Sequence, residues 1–261
     1  MNITLIGTGG VAENLAVALS HQYNVSVVGK SLLALSQLTG YNSRWSACVN
    51  YIPELTHVIL IAVQDSQVAN VIKQIDFSIL HDLQVIAHTS GSVGIEVFEQ
   101  HTDKGAVFYP LQTFSKNRIV SWQNVPIFIE AHSTEVENIL FKLASSLEAQ
   151  PLRADSQKRK YIHLGAVFAQ NFFNYLMQVA HEVTQKQGLT HTIYYPLLKE
   201  TLLKIADTQP IYMQTGPAKR KDLSTIEMHI KMLQKEFPHY ETLYRILTDY
   251  IIEFSHKQKD E

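Results

Sequence analysis

The chain has 261 residues, 46% of them hydrophobic, enough for two modest domains with a core in each. A net charge of −2 offers no broad basic surface for nucleic acid, and a single cysteine, Cys48, excludes an intramolecular disulfide framework. The longest apolar runs, such as 58–63, are too short to span a bilayer, and a strand beginning straight after Met1 leaves no room for a signal peptide, so the chain reads as soluble and cytoplasmic with no membrane partner.

The pattern of residues 1–20 predicts a strand, a glycine turn and a helix. Gly7-Thr8-Gly9-Gly10-Val11-Ala12 is G-x-G-x-x-A: Gly7 permits the tight turn, Gly9 lets backbone approach a pyrophosphate, and Ala12 lets the helix lie close on the strand. The helix start would then present N–H groups to the phosphates. A second strand is expected over 24–28, ending at Lys30 and Ser31. An acidic residue at this place would bind ribose hydroxyls; a cation and a hydroxyl favour NADP instead. The plainer alternative is a solvated loop lysine.

A short helix is expected over 32–38. Residues 57–63 form a continuous apolar run, as in a strand covered on both faces, with Asp65 or Ser66 placed to cap a helix over 67–75. Ala62, Val63 and Gln64 at its end should border the cofactor. A strand over 83–87, a helix over 94–100, strands over 105–108 and 126–130, and a helix over 134–148 complete a doubly wound α/β domain covering 1–152. His88, Ser90, Gln112 and Thr113 fall at strand ends, where they can line a substrate cleft or serve as turn and cap residues.

Beyond residue 152 the pattern reads as all-helical. Residues 158–187 form a long helix, apolar around much of its girth, which implies burial within its own domain or against a second subunit. A homodimer through the C-terminal helices follows from the second case. His163, Gln170, Asn174 and His181 share one face, with Asn171 at its edge; His163 and Asn171 are the site candidates, and a wet helix face is the alternative for the rest. Gly188 stops this helix, another is expected over 192–207, and Ser224 with Glu227 has capping-box spacing for a helix to about 236. The loop before it carries Lys219, Arg220 and Lys221, and Arg220 can either be solvated or hold a carboxylate or phosphate. A last helix is expected over 240–254. No histidine pair has partners at metal-ligand spacing, so no metal is expected.

The motifs Gly7-Thr-Gly-Gly-Val-Ala12, His88-Thr-Ser-Gly91, Tyr109-Pro-Leu-Gln-Thr-Phe114, Tyr161-Ile-His163, Ala169-Gln-Asn-Phe172 and Thr215-Gly-Pro-Ala-Lys-Arg-Lys-Asp222, in this order, resemble a family of proposed NADP oxidoreductases. That family has an N-terminal Rossmann domain and a smaller all-α C-terminal domain of uncharacterised function. It is distantly related to pyrroline-5-carboxylate reductase and to the 6-phosphogluconate and β-hydroxyacid dehydrogenases. Two departures stand out. Members that resemble this chain carry His before Pro-Leu-Gln-Thr-Phe, where this chain has Tyr109, and no lysine lies between Tyr161 and Gln185, where the related dehydrogenases place a catalytic one.

The resemblance implies an NADP(H)-dependent oxidoreductase, with residues 153–261 as the substrate and dimerisation domain. It would transfer a hydride between nicotinamide and a small carbonyl, imine or hydroxyl substrate in the interdomain cleft. His163, Asn171, Ser90 and His88 are the groups able to give a proton or polarise a carbonyl, His163 foremost, while Gln112, Thr113 and Arg220 would hold the substrate. The alternatives are an NADP-binding sensor or interaction module without turnover, and a nucleotide enzyme with no redox step.

Overall fold

The computed structural model describes residues 1–29, 44–46 and 52–257, so Lys30, Ser31 and the helix expected over 32–38 lie outside the described residues. Strand β1 (Asn2–Ile6) runs into helix α1 (Gly10–Ser20), and β2 (Asn24–Val28) returns beside β1. Then come β3 (Arg44–Ser46), β4 (Val58–Ile61), helix α2 (Val68–Lys73) and β5 (Val85–His88). Strands β6 (Gly105–Pro110) and β7 (Pro126–Ala131) are antiparallel, and α3 (Thr134–Ser146) leads to β8 (Gln150–Arg153). One sheet results, in the order β3-β2-β1-β4-β5-β6-β7-β8, parallel at every pairing except β6 with β7. The chain builds outward on one side of β1 and then crosses to β4 on the other. A crevice therefore opens beyond the carboxyl end of β1, where ligands of such sheets bind.

Burial on both faces explains the continuous apolar run of β4. Val58 and Leu60 pack with Leu15 of α1 and Leu140 of α3, whereas Ile59 and Ile61 pack with Val68 and Ile72 of α2. All four are buried, and burying each side chain of this kind contributes about 1.5–3 kcal/mol. Helix α3 starts where the Ser133 side chain accepts from Val136 N, with Glu135 and Glu137 in its first turn suiting the helix dipole.

Several local expectations change. Gln150-Pro-Leu-Arg153 is a strand although it shows no alternation; Pro151 is tolerated because β8 is the edge strand of the sheet. The helix expected over 94–100 is a single 3-10 turn, Ile95–Phe98. Neither Asp65 nor Ser66 caps α2, which begins after the 3-10 turn Asp65–Gln67 with no side-chain cap. The Asp65 carboxylate accepts from the Ser92 hydroxyl instead.

Two compact units divide the chain, Met1–Gln170 and Asn171–Glu261. The first includes helix α4 (Ser156–Ala166), capped by Asp155. A π-helical segment, Val167–Phe172, interrupts the long helix expected over 158–187, and the unit boundary falls inside it.

The second unit contains α5 (Phe173–Gln185), α6 (Tyr195–Asp207), α7 (Pro217–Arg220), α8 (Leu223–Glu236) and α9 (Glu241–Lys257). Gly188, at φ 75°, closes the region after α5. The cap of α8 is Asp222, whose carboxylate accepts from Thr225 N, and the capping box expected from Ser224 and Glu227 is absent because the helix begins earlier. Tyr240 donates to Glu182 at 2.5 Å and joins α5 to the segment before α9.

Candidate active site

Each glycine of the first turn meets a different demand. Gly7 has φ 136°, and a Cβ there would lie 2.1 Å from the carbonyl oxygen of Ala62, so neither conformation nor space admits a side chain. A Cβ on Gly10 would lie 2.9 Å from the carbonyl oxygen of Phe114. Gly9 is the opposite case. Its backbone is extended, at φ −84° and ψ 179°, and a Cβ there would meet nothing within 4 Å. Gly9 also begins α1 with no side-chain cap, which leaves the first-turn N–H groups for a ligand. Ala12 is fully buried. The turn therefore fits a pyrophosphate: it is closed where the fold needs closeness and open where a phosphate would sit.

The neighbouring loops are fixed to this turn. Asn14 of α1, fully buried, donates to the Gly10 and Arg118 carbonyls and accepts from Val120 N at 2.9 Å. Glu13 accepts from Asn117 N at 3.0 Å. Together they hold the 117–120 loop against α1. Ala62 is buried, its N–H donating to Ile6 O at 2.8 Å, while Val63 is half-buried and Gln64 exposed at the same edge.

At the ends of β5 and β6 stands a set of polar groups. Tyr109 Oη lies 3.1 Å from Nδ1 of His163 on α4, the rings meeting edge to face at 5.9 Å. Burial is the main reason the Tyr109 phenol is pushed above its ordinary value; the Asp65 charge adds to this and Arg159 opposes it. Arg159, fully buried one turn before His163, pairs with Glu130 at 2.5 Å and donates to Val93 O, also at 2.5 Å. Its neighbour Ser156 donates to Glu130 at 2.7 Å and accepts from Ile95 N. Helix α4, and with it His163, is thus tied to β7 and to the turn after β5.

His88 lies in the interior and does not face open space. Its side chain is buried and stacked on Phe98, Nδ1 accepts from Ser90 N at 3.2 Å, and Nε2 faces Gly94 O at 3.4 Å. Burial, helped by the Arg159 charge, holds it down at about 4, so the ring is neutral at ordinary pH. Ser90 is likewise buried, its oxygen accepting from Ser92 N and Val93 N as the cap of that turn. Gln112 and Thr113 are exposed beyond β6, and Gln112 Oε1 accepts from Thr113 N at 2.8 Å. Asn171 and Arg220 belong to the second unit, and both are exposed. The structure thus gathers His163, Ser90 and Tyr109 around one turn.

Residues 1–113 match a Rossmann-like domain, and residues 125–251 match DUF2520, a domain of unknown function. BF3122 of Bacteroides fragilis, a proposed NADP oxidoreductase of known structure, is 34% identical over 97% of this chain and 98% of its own, with a TM-score of 0.87. The chain belongs to this Rossmann-like and DUF2520 family. More distant structures share the family's fold. The pyrroline-5-carboxylate reductase of Coxiella burnetii is 17% identical over 98% of this chain and 97% of its own, at TM-score 0.60. A reductive aminase of Aspergillus terreus, solved with NADPH and ethyl levulinate, is 12% identical over 97% and 93%, at TM-score 0.71. No curated protein matches the chain.

In this member of the Rossmann-like and DUF2520 family, residues outside the expected set shape the site. Gly91 stands against both rings of the pair: a Cβ there would come within 2.7 Å of His163 Nδ1 and 2.9 Å of Tyr109 Cζ. Asn14 had a visible signal, a lone amide between Ala12 and Leu15 on an apolar helix face. Arg159 and Glu130 had none, since their pairing joins residues far apart in the chain.

Proposed function

We propose that the chain is an NADP(H)-dependent oxidoreductase acting on a small carbonyl, imine or hydroxyl compound at the carboxyl edge of its sheet. Gly9 carries this reading: extended backbone and open space mean that the fold alone does not require glycine there, whereas a pyrophosphate does. The name given to BF3122 supports NADP as the cofactor, as do Lys30 and Ser31 in the sequence. When bound, NADPH supplies a hydride to the substrate carbon. His163 then gives its Nε2 proton to the substrate oxygen or nitrogen, ending as a neutral imidazole that solvent reprotonates.

The absence of lysine between Tyr161 and Gln185 favours a second reading, a nucleotide-binding sensor without turnover. NADPH oxidation measured against a panel of keto acids, aldehydes and imines separates the two. Consumption with at least one class supports the reductase, and tight NADPH binding with no consumption anywhere in the panel supports the sensor.

We also infer that the chain forms a homodimer through its C-terminal helices. Leu176 of α5 and Leu197, Leu202 and Leu203 of α6 are exposed, Leu202 at 66%, and exposed apolar residues recurring along neighbouring helices suit a subunit interface. The charge balance, the single cysteine and the lack of a long apolar helix among the described residues support a cytoplasmic protein with neither nucleic acid nor membrane as partner.

A further inference from the structure

Resting on the reductase reading, we infer that Tyr109 is the positioning residue of the site: its phenol oxygen accepts the Nδ1–H of His163 and commits Nε2 to the proton given to substrate. Three observations carry this. The pair is in contact, with Oη 3.1 Å from Nδ1. Tyr109 is itself held, buried and stacked on Phe128 at 6.3 Å, so the oxygen has a fixed place. And Gly91 makes the room, because a Cβ there would strike both His163 Nδ1 and the Tyr109 ring. Gly91 does not sit among the positive-φ residues, so what it supplies is close approach and not an unusual backbone.

Opposite a doubly protonated ring, chemistry fixes the direction of the hydrogen bond. An imidazolium carries hydrogen on both ring nitrogens, so opposite Nδ1–H the phenol can only accept. Burial raises the Tyr109 phenol, which therefore keeps its own proton and does not cede it to the histidine. Once Nε2 has lost its proton, the neutral ring retains hydrogen on Nδ1, the form the same acceptor favours. The charged groups that reach Tyr109 are Asp65 and Arg159, and neither is altered when the phenol is replaced. Tyr109 thus has a task of its own at a place where members that resemble this chain carry His.

The test uses the full-length protein labelled with 15N-histidine, the His163 signals being assigned by their loss in His163→Gln. In wild type the neutral His163 ring should carry hydrogen on Nδ1. Tyr109→Phe keeps the packing ring and should lose that preference, and Gly91→Ala, which pushes the pair apart, should lose it with the phenol still present. A wild-type ring protonated on Nε2, or one unchanged in Tyr109→Phe, would overturn the inference. If a substrate is found in the reductase panel, Tyr109→Phe should lower kcat about tenfold with KM little changed and move the alkaline limb of the pH profile to lower pH. The NADPH-oxidation panel decides the reductase reading separately, since the tautomer measurement needs no cofactor.

Discussion

The Arg159 guanidinium meets the Glu130 carboxylate at 2.5 Å, with the arginine side chain fully buried. An ion pair in such a place contributes little net stability against an apolar replacement, but removing one partner strands a charge. Glu130→Ala should therefore cost about 3–5 kcal/mol, read as a drop in the midpoint of urea unfolding. A midpoint equal to wild type would show that the pair does not anchor α4.

His163→Ala should lower NADPH-dependent turnover by about a hundredfold or more while NADPH affinity stays the same, as expected for loss of a general acid. Steady-state kinetics with the best substrate of the panel checks this. A fully active variant would remove His163 from the mechanism.

His88 makes acid stability predictable. The folded protein holds its ring at about 4, below the ordinary 6.5 of the unfolded chain, so between those values only the unfolded chain takes up the proton. Stability is therefore present above about pH 6.5 and lost as pH falls toward 4, by on the order of 3 kcal/mol from this group. Melting temperatures across that range should fall less steeply in His88→Asn than in wild type; parallel slopes would contradict the assignment.

Leu202→Glu together with Leu176→Glu places charge on the exposed leucines of α5 and α6. Sedimentation velocity should show wild type as a dimer and the double variant as a monomer with unchanged far-UV circular dichroism. A monomeric wild type would count against the interface.

Much of the sheet unit was legible because its signals are local. Residues 24–28 show the apolar character of a strand, the run of β4 shows burial on both faces, and the glycine spacing marks the turn. β8 was not, since an edge strand carrying Pro151 has no alternation to detect. The site was half legible. His163 stood out as a titratable group on a helix, and its partner Tyr109 stood out only as a departure from the family pattern; their contact spans 54 positions, which no local pattern encodes. His88 was ambiguous because a histidine at a strand end looks the same in sequence whether it faces a cleft or the core. Burial alone decided it, and burial here depends on Phe98 and on the turn to Gly94.

The central claim rests on Gly9, and calorimetric titration of NADPH into wild type and Gly9→Val tests it most directly. The extended backbone and the empty surroundings predict a variant that folds and melts as wild type does, yet binds NADPH about a hundredfold more weakly or not at all. Equal affinity in the two proteins, or no binding by wild type, would contradict the account.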